Sequence, residues 1–63
     1  MRPMETHAVV VVWRSADGEE HEERWSTVEA FRLWAMAEGI RASFTAYEAD
    51  EDGDLVIIAK GEV

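Results

Sequence analysis

Residues 7–25 of this chain read HAVVVVWRSADGEEHEERW. From Val9 to Trp13 every side chain is β-branched or aromatic, which favours a strand, predicted here over residues 7–14. The Asp-Gly pair inside residues 15–18 is a strong turn signal. Residues 19–25 then return as a second, more polar strand, so the stretch predicts a β-hairpin.

The register of this hairpin decides which side chains share a face. A two-residue loop would place Trp25 on the face of Val10. A type I turn followed by a glycine bulge would place it beside Val9 instead, with Trp13 opposite His21. A slip of one residue exchanges the two faces. We favour the second register because it gathers large apolar side chains on one face: Val9, Val11, Trp13 and Trp25.

A helix follows the hairpin. Residues 26–29, Ser-Thr-Val-Glu, form a capping box with Ser26 as the N-cap residue and Glu29 reaching back to it. The helix is expected from about residue 27 to residue 38, and Gly39 suits the left-handed position that ends a helix. Its apolar residues form two stripes, one of Val28, Phe31 and Ala35 and the other of Ala30, Leu33, Trp34 and Ala37.

Two further strands complete the chain. Residues 41–49 alternate in side-chain character, residues 50–53 form a second turn with an Asp-Gly pair, and residues 55–60 are a short apolar run. The element order is ββαββ, which predicts an α+β fold. Short connections favour a four-stranded antiparallel sheet in the order 2-1-3-4, with the helix on one face.

Length and composition limit the architecture. A chain of 63 residues makes one small domain, here 1–63 with residues 1–6 as a loose lead-in. Domains of this size bury only ~60% of their unfolded surface and often need a disulfide, a metal or a second subunit. The chain has no cysteine, which excludes disulfides and thiolate metal sites. Its apolar run, Ala8 to Trp13, is too short for a signal peptide or a membrane span, so a soluble cytoplasmic protein is expected.

Charge is the most specific feature of the composition. The chain has 14 acidic and 6 basic residues and a net charge of -8. Phosphates and anionic membranes repel such a surface, whereas a basic protein partner is attracted to it. Ten of the acids fall in two groups around the Asp-Gly turns, which the sheet order places at opposite ends: Asp17, Glu19, Glu20, Glu22 and Glu23, then Glu48, Asp50, Glu51, Asp52 and Asp54.

The apolar residues exceed what one face of a sheet can hold. An antiparallel sheet with one helix should be apolar on one side only, yet the first and fourth strands are apolar on both. A second copy of the chain is the favoured cover for the other face, ahead of a different partner or of long polar side chains that screen it. The predicted oligomer interface is Val10, Val12, Val56 and Ile58.

The residues that could form a metal site, a catalytic site or a base-stacking platform have simpler explanations in this sequence. Residues 50–54 place acids like the start of an EF-hand, but Leu55 stands where glycine is needed and Gly61 where a bidentate glutamate is needed. A hairpin turn explains them better. His7 and His21 lack the spacing of metal ligands. No serine lies in a nucleophile motif, and the tryptophans lack the basic groove of a base-stacking platform. The sequence thus predicts no enzyme, metal site or cofactor.

In size, acidity and ββαββ order, the chain resembles the small inhibitors carried by phages and mobile elements, including some anti-CRISPR proteins. This resemblance is one of overall design. It implies binding to the basic nucleic-acid channel of a bacterial defence complex, in some cases by imitating the charge of DNA.

The sequence therefore favours a non-enzymatic inhibitor that occupies a basic, nucleic-acid-binding surface of a partner protein. The alternative is a homo-oligomeric accessory domain whose acidity serves only solubility. Residues predicted to contact the partner are the acids Glu19, Glu20, Glu22, Glu23, Asp50, Glu51, Asp52 and Asp54, with Trp13 and Tyr47 as apolar anchors.

Overall fold

The computed structural model describes residues 9–63. Strands β1 and β2 (Val9–Ser15 and Glu20–Trp25) form the first hairpin, helix α1 (Val28–Ala37) follows, and strands β3 and β4 (Ala42–Ala49 and Leu55–Glu62) form the second hairpin. All neighbouring strands are antiparallel and the sheet order is β2-β1-β3-β4. The predicted α+β fold and its strand order are confirmed. His7 and the lead-in lie outside the described residues.

The first hairpin has the glycine-bulge register. Val9 pairs with Trp25 and Trp13 pairs with His21. The N–H of Gly18 donates to the carbonyl of Ser15 at 2.9 Å, and Gly18 has a φ of 92°, which a side chain would disfavour. The predicted grouping on one face is confirmed: Val9, Val11 and Trp13 are buried, and Trp25 packs against them.

The helix begins one residue later than the capping box implied. Thr27 is the N-cap residue, and its hydroxyl accepts a hydrogen bond from the N–H of Ala30 at 3.0 Å. The prediction of Ser26 as the cap was wrong: the hydroxyl of the adjacent Thr27 caps the helix by itself, with Ala30 rather than an acid at the third helical position. At the other end the prediction holds: Gly39 has a φ of 71° and donates to Met36, while Ile40 donates to Ala35, as in a Schellman motif.

The core lies between the helix and the inner strands. The helix packs mainly on β1 and β2, and Phe31, at 0% exposure, is at the centre of a cluster of aromatic rings. Ring centroids lie 5.3 to 6.3 Å from that of Phe31: Phe44, Trp25, Trp13 and Trp34. The first predicted helix stripe is thus the buried one, whereas Leu33 of the second stripe is 58% exposed.

A bulge divides β4 into two registers. Tyr47 pairs with Ile57, but Ala46 pairs with Ala59, so Ile58 is an extra residue on β4. A single extra residue shifts the alternation of side chains beyond it by one position. As a result Ile57 lies on the face opposite the helix, in the row of Tyr47, while Ala59 lies beside Ala46 on the helix side.

No helix within residues 9–63 has both the length and the apolar character needed to cross a membrane.

Candidate partner-binding surfaces

The two hairpins end in turns of the same construction. In each, an Asp-Gly pair closes a type I turn whose glycine has positive φ, and the residue before the turn pairs with the residue after it. Gly53 has a φ of 86°, and the N–H of Asp50 donates to the carbonyl of Asp54 at 2.8 Å. The acids of each hairpin end are therefore carried on a turn closed by backbone hydrogen bonds.

An aspartate side chain braces each turn from within. In the first turn Asp17 Oδ1 accepts hydrogen bonds from the N–H of Glu19 at 3.0 Å and from the hydroxyl of Ser15. In the second, Asp50 Oδ1 accepts from the N–H groups of Asp52 and Asp54, both at 2.9 Å. Both aspartates are thus structural as well as charged, which the sequence pattern of Asx turns could have indicated.

The acids form two separate surfaces. We define the first acidic tip as Asp17, Glu19, Glu20 and Glu22, and the second acidic tip as Asp50, Glu51, Asp52 and Asp54; all eight side chains are exposed. The tips lie at opposite ends of the sheet, because β1 and β3 are antiparallel and each tip follows one of them. The longest dimension of the fold, 37 Å, is several times the Debye length of ~8 Å.

The carboxylates of the second tip are close together. One oxygen from each of Asp50, Asp52 and Asp54 lies within 4.8 Å of the others, and all three residues are exposed. The positions that an EF-hand would need for its glycine and bidentate glutamate are Leu55 and Gly61, which pair with Ala49 and Phe44 in the sheet. The segment is thus a hairpin turn, as predicted, and its close carboxylates concentrate negative potential at one point.

Glu23 differs from the other predicted contact acids. It is half-buried on the helix side of the sheet, and its Oε1 accepts hydrogen bonds from two indole N–H groups, Trp25 Nε1 at 3.1 Å and Trp13 Nε1 at 3.3 Å. Its carboxylate is therefore a hydrogen-bond acceptor for two core side chains rather than a free surface charge. Its position two residues before Trp25, on the same strand face, is the sequence signal that could have shown this.

Trp13 is not a surface anchor. It is 6% exposed, packed near Phe31 and stacked on His21 with ring centroids 4.2 Å apart. The prediction that Trp13 contacts a partner is therefore wrong, since the hairpin register turns it into the core. His21 itself is half-buried, and its Nε2 lies 3.4 Å from Glu19 Oε1, so it joins the core to the first acidic tip.

Tyr47 lies on the face opposite the helix, which we call the open face. It is half-buried there between Val10 and Ile57, its neighbours in the sheet. Val12 lies on the same face, one row further along. The four residues of the predicted oligomer interface do not share one face. Val56 pairs with Glu48 and lies on the helix side, and Ile58 is the bulge residue. The apolar residues of β4 that lie on the open face are instead Leu55 and Ile57.

Asp17 gives the first hairpin a pH-dependent contribution to stability. The hydrogen bond from the Ser15 hydroxyl, and then that from the N–H of Glu19, hold the pKa of Asp17 below its ordinary value of 3.8. A carboxyl whose pKa is lowered by folding stabilises the fold above its unfolded pKa and loses this effect as the pH falls through the folded one. We expect Asp17→Asn to lower the urea midpoint at pH 7, and the difference from the original chain to shrink below about pH 4. A difference of equal size at pH 7 and pH 3 would contradict this account.

No protein-family model, curated protein or solved structure matches the chain. Its function must therefore be inferred from its own residues and geometry.

Proposed function

We propose that this chain is a non-enzymatic binding protein whose acidic tips occupy a basic, nucleic-acid-binding surface of a partner protein. The observation that carries the proposal is the placement of eight exposed acids in two groups, each at a hydrogen-bonded hairpin turn, in a chain with net charge -8. Solubility alone needs neither the clustering nor the braced turns, since dispersed charge serves it equally well.

The length of the fold supports imitation of nucleic acid. The longest dimension of the fold is 37 Å, with an acidic turn toward each end of the strands, and one turn of B-DNA measures ~34–36 Å. A protein surface that contacts phosphates one helical turn apart therefore has basic groups at a spacing close to the full length of this fold. Such a surface would be held at both ends, with nucleic acid excluded from the space between.

The polar groups of the fold support a binding role more than a catalytic one. Within residues 9–63 no polar or charged side chain is buried. General acid or base catalysis relies on a carboxyl or imidazole whose pKa is shifted by desolvation in a cleft. The exposed acids of the tips are hydrated, and their strength lies in long-range attraction, which speeds encounter with a basic partner.

The test is capture from a nuclease-treated lysate of the host by the immobilised protein and two matched variants. Glu51→Lys with Asp54→Lys reverses two charges on the second tip and spares Asp50, which braces the turn. Glu29→Lys with Glu38→Lys reverses two exposed charges, one in the first turn of the helix and one at its C-cap. Each pair of reversals changes the net charge equally, so only the position of the charge differs.

We expect a basic, nucleic-acid-binding protein to be retained by the original chain and by the helix variant, and to be lost from the tip variant. Its release should follow rising salt, as expected for contacts between exposed charges. Equal retention by both variants would contradict a role for the tips. Failure of the original chain to retain any basic protein would contradict the proposal as a whole.

A further inference from the structure

The open face has a charge balance unlike that of the rest of the molecule. The register assigns its residues: Val10 lies in a row with Arg24, Tyr47 and Ile57, and the next rows follow by alternation. Three exposed cations and three exposed anions lie on it, namely Arg14, Arg24 and Lys60 and Glu20, Glu22 and Glu62. Its net charge is therefore zero, in a chain of net charge -8.

The same face is apolar between these charges. Val10, Val12 and Tyr47 are only half-buried, and Leu55 and Ile57 are 58% and 53% exposed. The helix lies on the other side of the sheet and covers none of them. A contiguous apolar area rimmed by polar groups is typical of a protein–protein contact. A basic partner is drawn instead to the second acidic tip and to Asp17 and Glu19 of the first, because the open face, which includes Glu20 and Glu22, has no net charge to attract it.

We propose that a second copy of this chain covers the open face, sheet against sheet, about a two-fold axis parallel to the strands. With the order β2-β1-β3-β4, such an axis between β1 and β3 places β1 over β3 of the second copy and β2 over its β4. Along the rows of the sheet, Val10 then faces Tyr47 of the second copy, and Val12 faces its Thr45. Each contact occurs twice, as in any isologous dimer.

The outer strands bring one complementary and one like-charged pair together under this axis. Glu20 and Glu62 share a row, so these two acids face each other and weaken the dimer. Glu22 and Lys60 lie in the same row, at opposite edges of the sheet, so Glu22 of each copy faces Lys60 of the other. Packed sheets are rotated by about 30°, which displaces the outer strands by about 4 Å at a strand spacing of ~4.8 Å. Long glutamate and lysine side chains bridge that distance. The second acidic tip of each copy stays at the periphery and free, as do Asp17 and Glu19 of the first, whereas Glu20 and Glu22 lie in the interface.

The expected dimer is weak. Four strands at ~4.8 Å spacing and about seven residues at ~3.4 Å rise give a footprint of roughly 19 by 24 Å per copy. Two such footprints total roughly 900 Å², below the ~1,200–2,000 Å² of stable specific interfaces and in the range of weak, transient ones. The dimer should therefore form and dissociate with concentration rather than be obligate.

A matched pair of variants tests the face directly. Ile57 and Val56 are adjacent and similarly exposed, at 53% and 46%, but lie on opposite faces. Ile57→Lys and Val56→Lys change the net charge equally. In sedimentation-equilibrium experiments on the chain alone, we expect Ile57→Lys to raise the dissociation constant at least about tenfold, as a loss of ~1.4 kcal/mol would. Val56→Lys should leave it nearly unchanged.

Exchanging the charges of Glu22 and Lys60 tests the position of the two-fold axis. Glu22→Lys and Lys60→Glu are each expected to weaken the dimer several-fold, and the double variant, which restores the net charge, should recover it. Tryptophan fluorescence verifies that each variant is folded.

Three results would overturn the proposal. One is an original chain that stays monomeric at millimolar concentration. Another is equal weakening by Val56→Lys and Ile57→Lys, which would indicate edge-to-edge pairing of β4. The third is a double charge variant that does not recover. None of these measurements involves a basic partner, so their outcome does not depend on the proposed function.

Discussion

Replacement of Phe31 by alanine is expected to unfold this domain. The side chain is 0% exposed, and four aromatic rings surround it, the nearest being Phe44 with its centroid at 5.3 Å. Truncation of a buried phenylalanine to alanine costs ~3–5 kcal/mol, and a cavity among rigid rings collapses poorly. The core of a domain this small supplies rarely more than ~3–5 kcal/mol. The loss therefore equals or exceeds the free energy of unfolding.

Near-ultraviolet circular dichroism and urea titration measure this effect. Phe31→Ala should lack the aromatic signal of the three tryptophans and show no cooperative transition. Leu33→Ala is the matched control, because Leu33 lies on the same helix but is 58% exposed. We expect it to keep its signal and to lose less than about 0.5 kcal/mol. A cooperative transition in Phe31→Ala near that of the original chain would show that the aromatic cluster is not the core.

Removal of the Glu23 carboxylate should have the second largest effect. Its Oε1 accepts from Trp25 Nε1 at 3.1 Å and from Trp13 Nε1 at 3.3 Å. In Glu23→Ala the indole N–H of Trp13, a residue that is 6% exposed, loses its acceptor. A buried donor without a partner costs ~1–3 kcal/mol, so we expect a loss of about 2 kcal/mol in the free energy of unfolding.

Two variants separate the hydrogen bonds of Glu23 from its charge. Glu23→Gln keeps an acceptor oxygen but removes the charge that strengthens both bonds, and we expect a loss about half that of alanine. Glu22→Ala removes the same charge from the exposed face of the same strand. In urea titrations at micromolar concentration, where dimers are dissociated, it should cost almost nothing. Equal losses for Glu22→Ala and Glu23→Ala would mean that charge, not bonding to the indoles, explains the effect.

Local patterns predicted most of this fold. The valine run, the two Asp-Gly turns and Gly39 are signals whose physical causes act within a few residues, and the structure has a strand, two glycine-bulge hairpins and a Schellman motif at these places. The strand order followed from short connections. The first hairpin's register was decided by the need to collect Trp13 and Trp25 on one face, which is a packing argument available from sequence.

The errors arise where either of two adjacent hydroxyl residues could cap the helix, or where the pairing of strands decides which face of the sheet a side chain lies on. Ser26 and Thr27 both offer a hydroxyl, and only the path of the chain selects Thr27 as the cap. Nothing in the run Leu55–Ile58 signals a bulge, because the extra residue is set by the pairing of β4 with β3. The bulge is the reason that Ile57, rather than Val56, shares a face with Val10.

Counting charges also missed what each acid does. Glu23 was grouped with its neighbours because five acids occur between Asp17 and Glu23, yet the favoured register already placed it beside Trp25 on the core side. Asp17 and Asp50 brace their turns. Three of the ten acids in the two groups, Glu23, Asp17 and Asp50, therefore have structural roles that the count of charges does not show.

Competition between this chain and nucleic acid for one surface is the measurement that tests the account most directly. A labelled DNA duplex is bound to the basic protein that the chain captures, and its fluorescence anisotropy is followed as the chain is added. We predict full displacement of the duplex, with an apparent affinity that falls with salt and falls further for Glu51→Lys with Asp54→Lys. A duplex that stays bound at the same affinity while the chain binds beside it would contradict the proposal that the acidic tips stand in for nucleic acid.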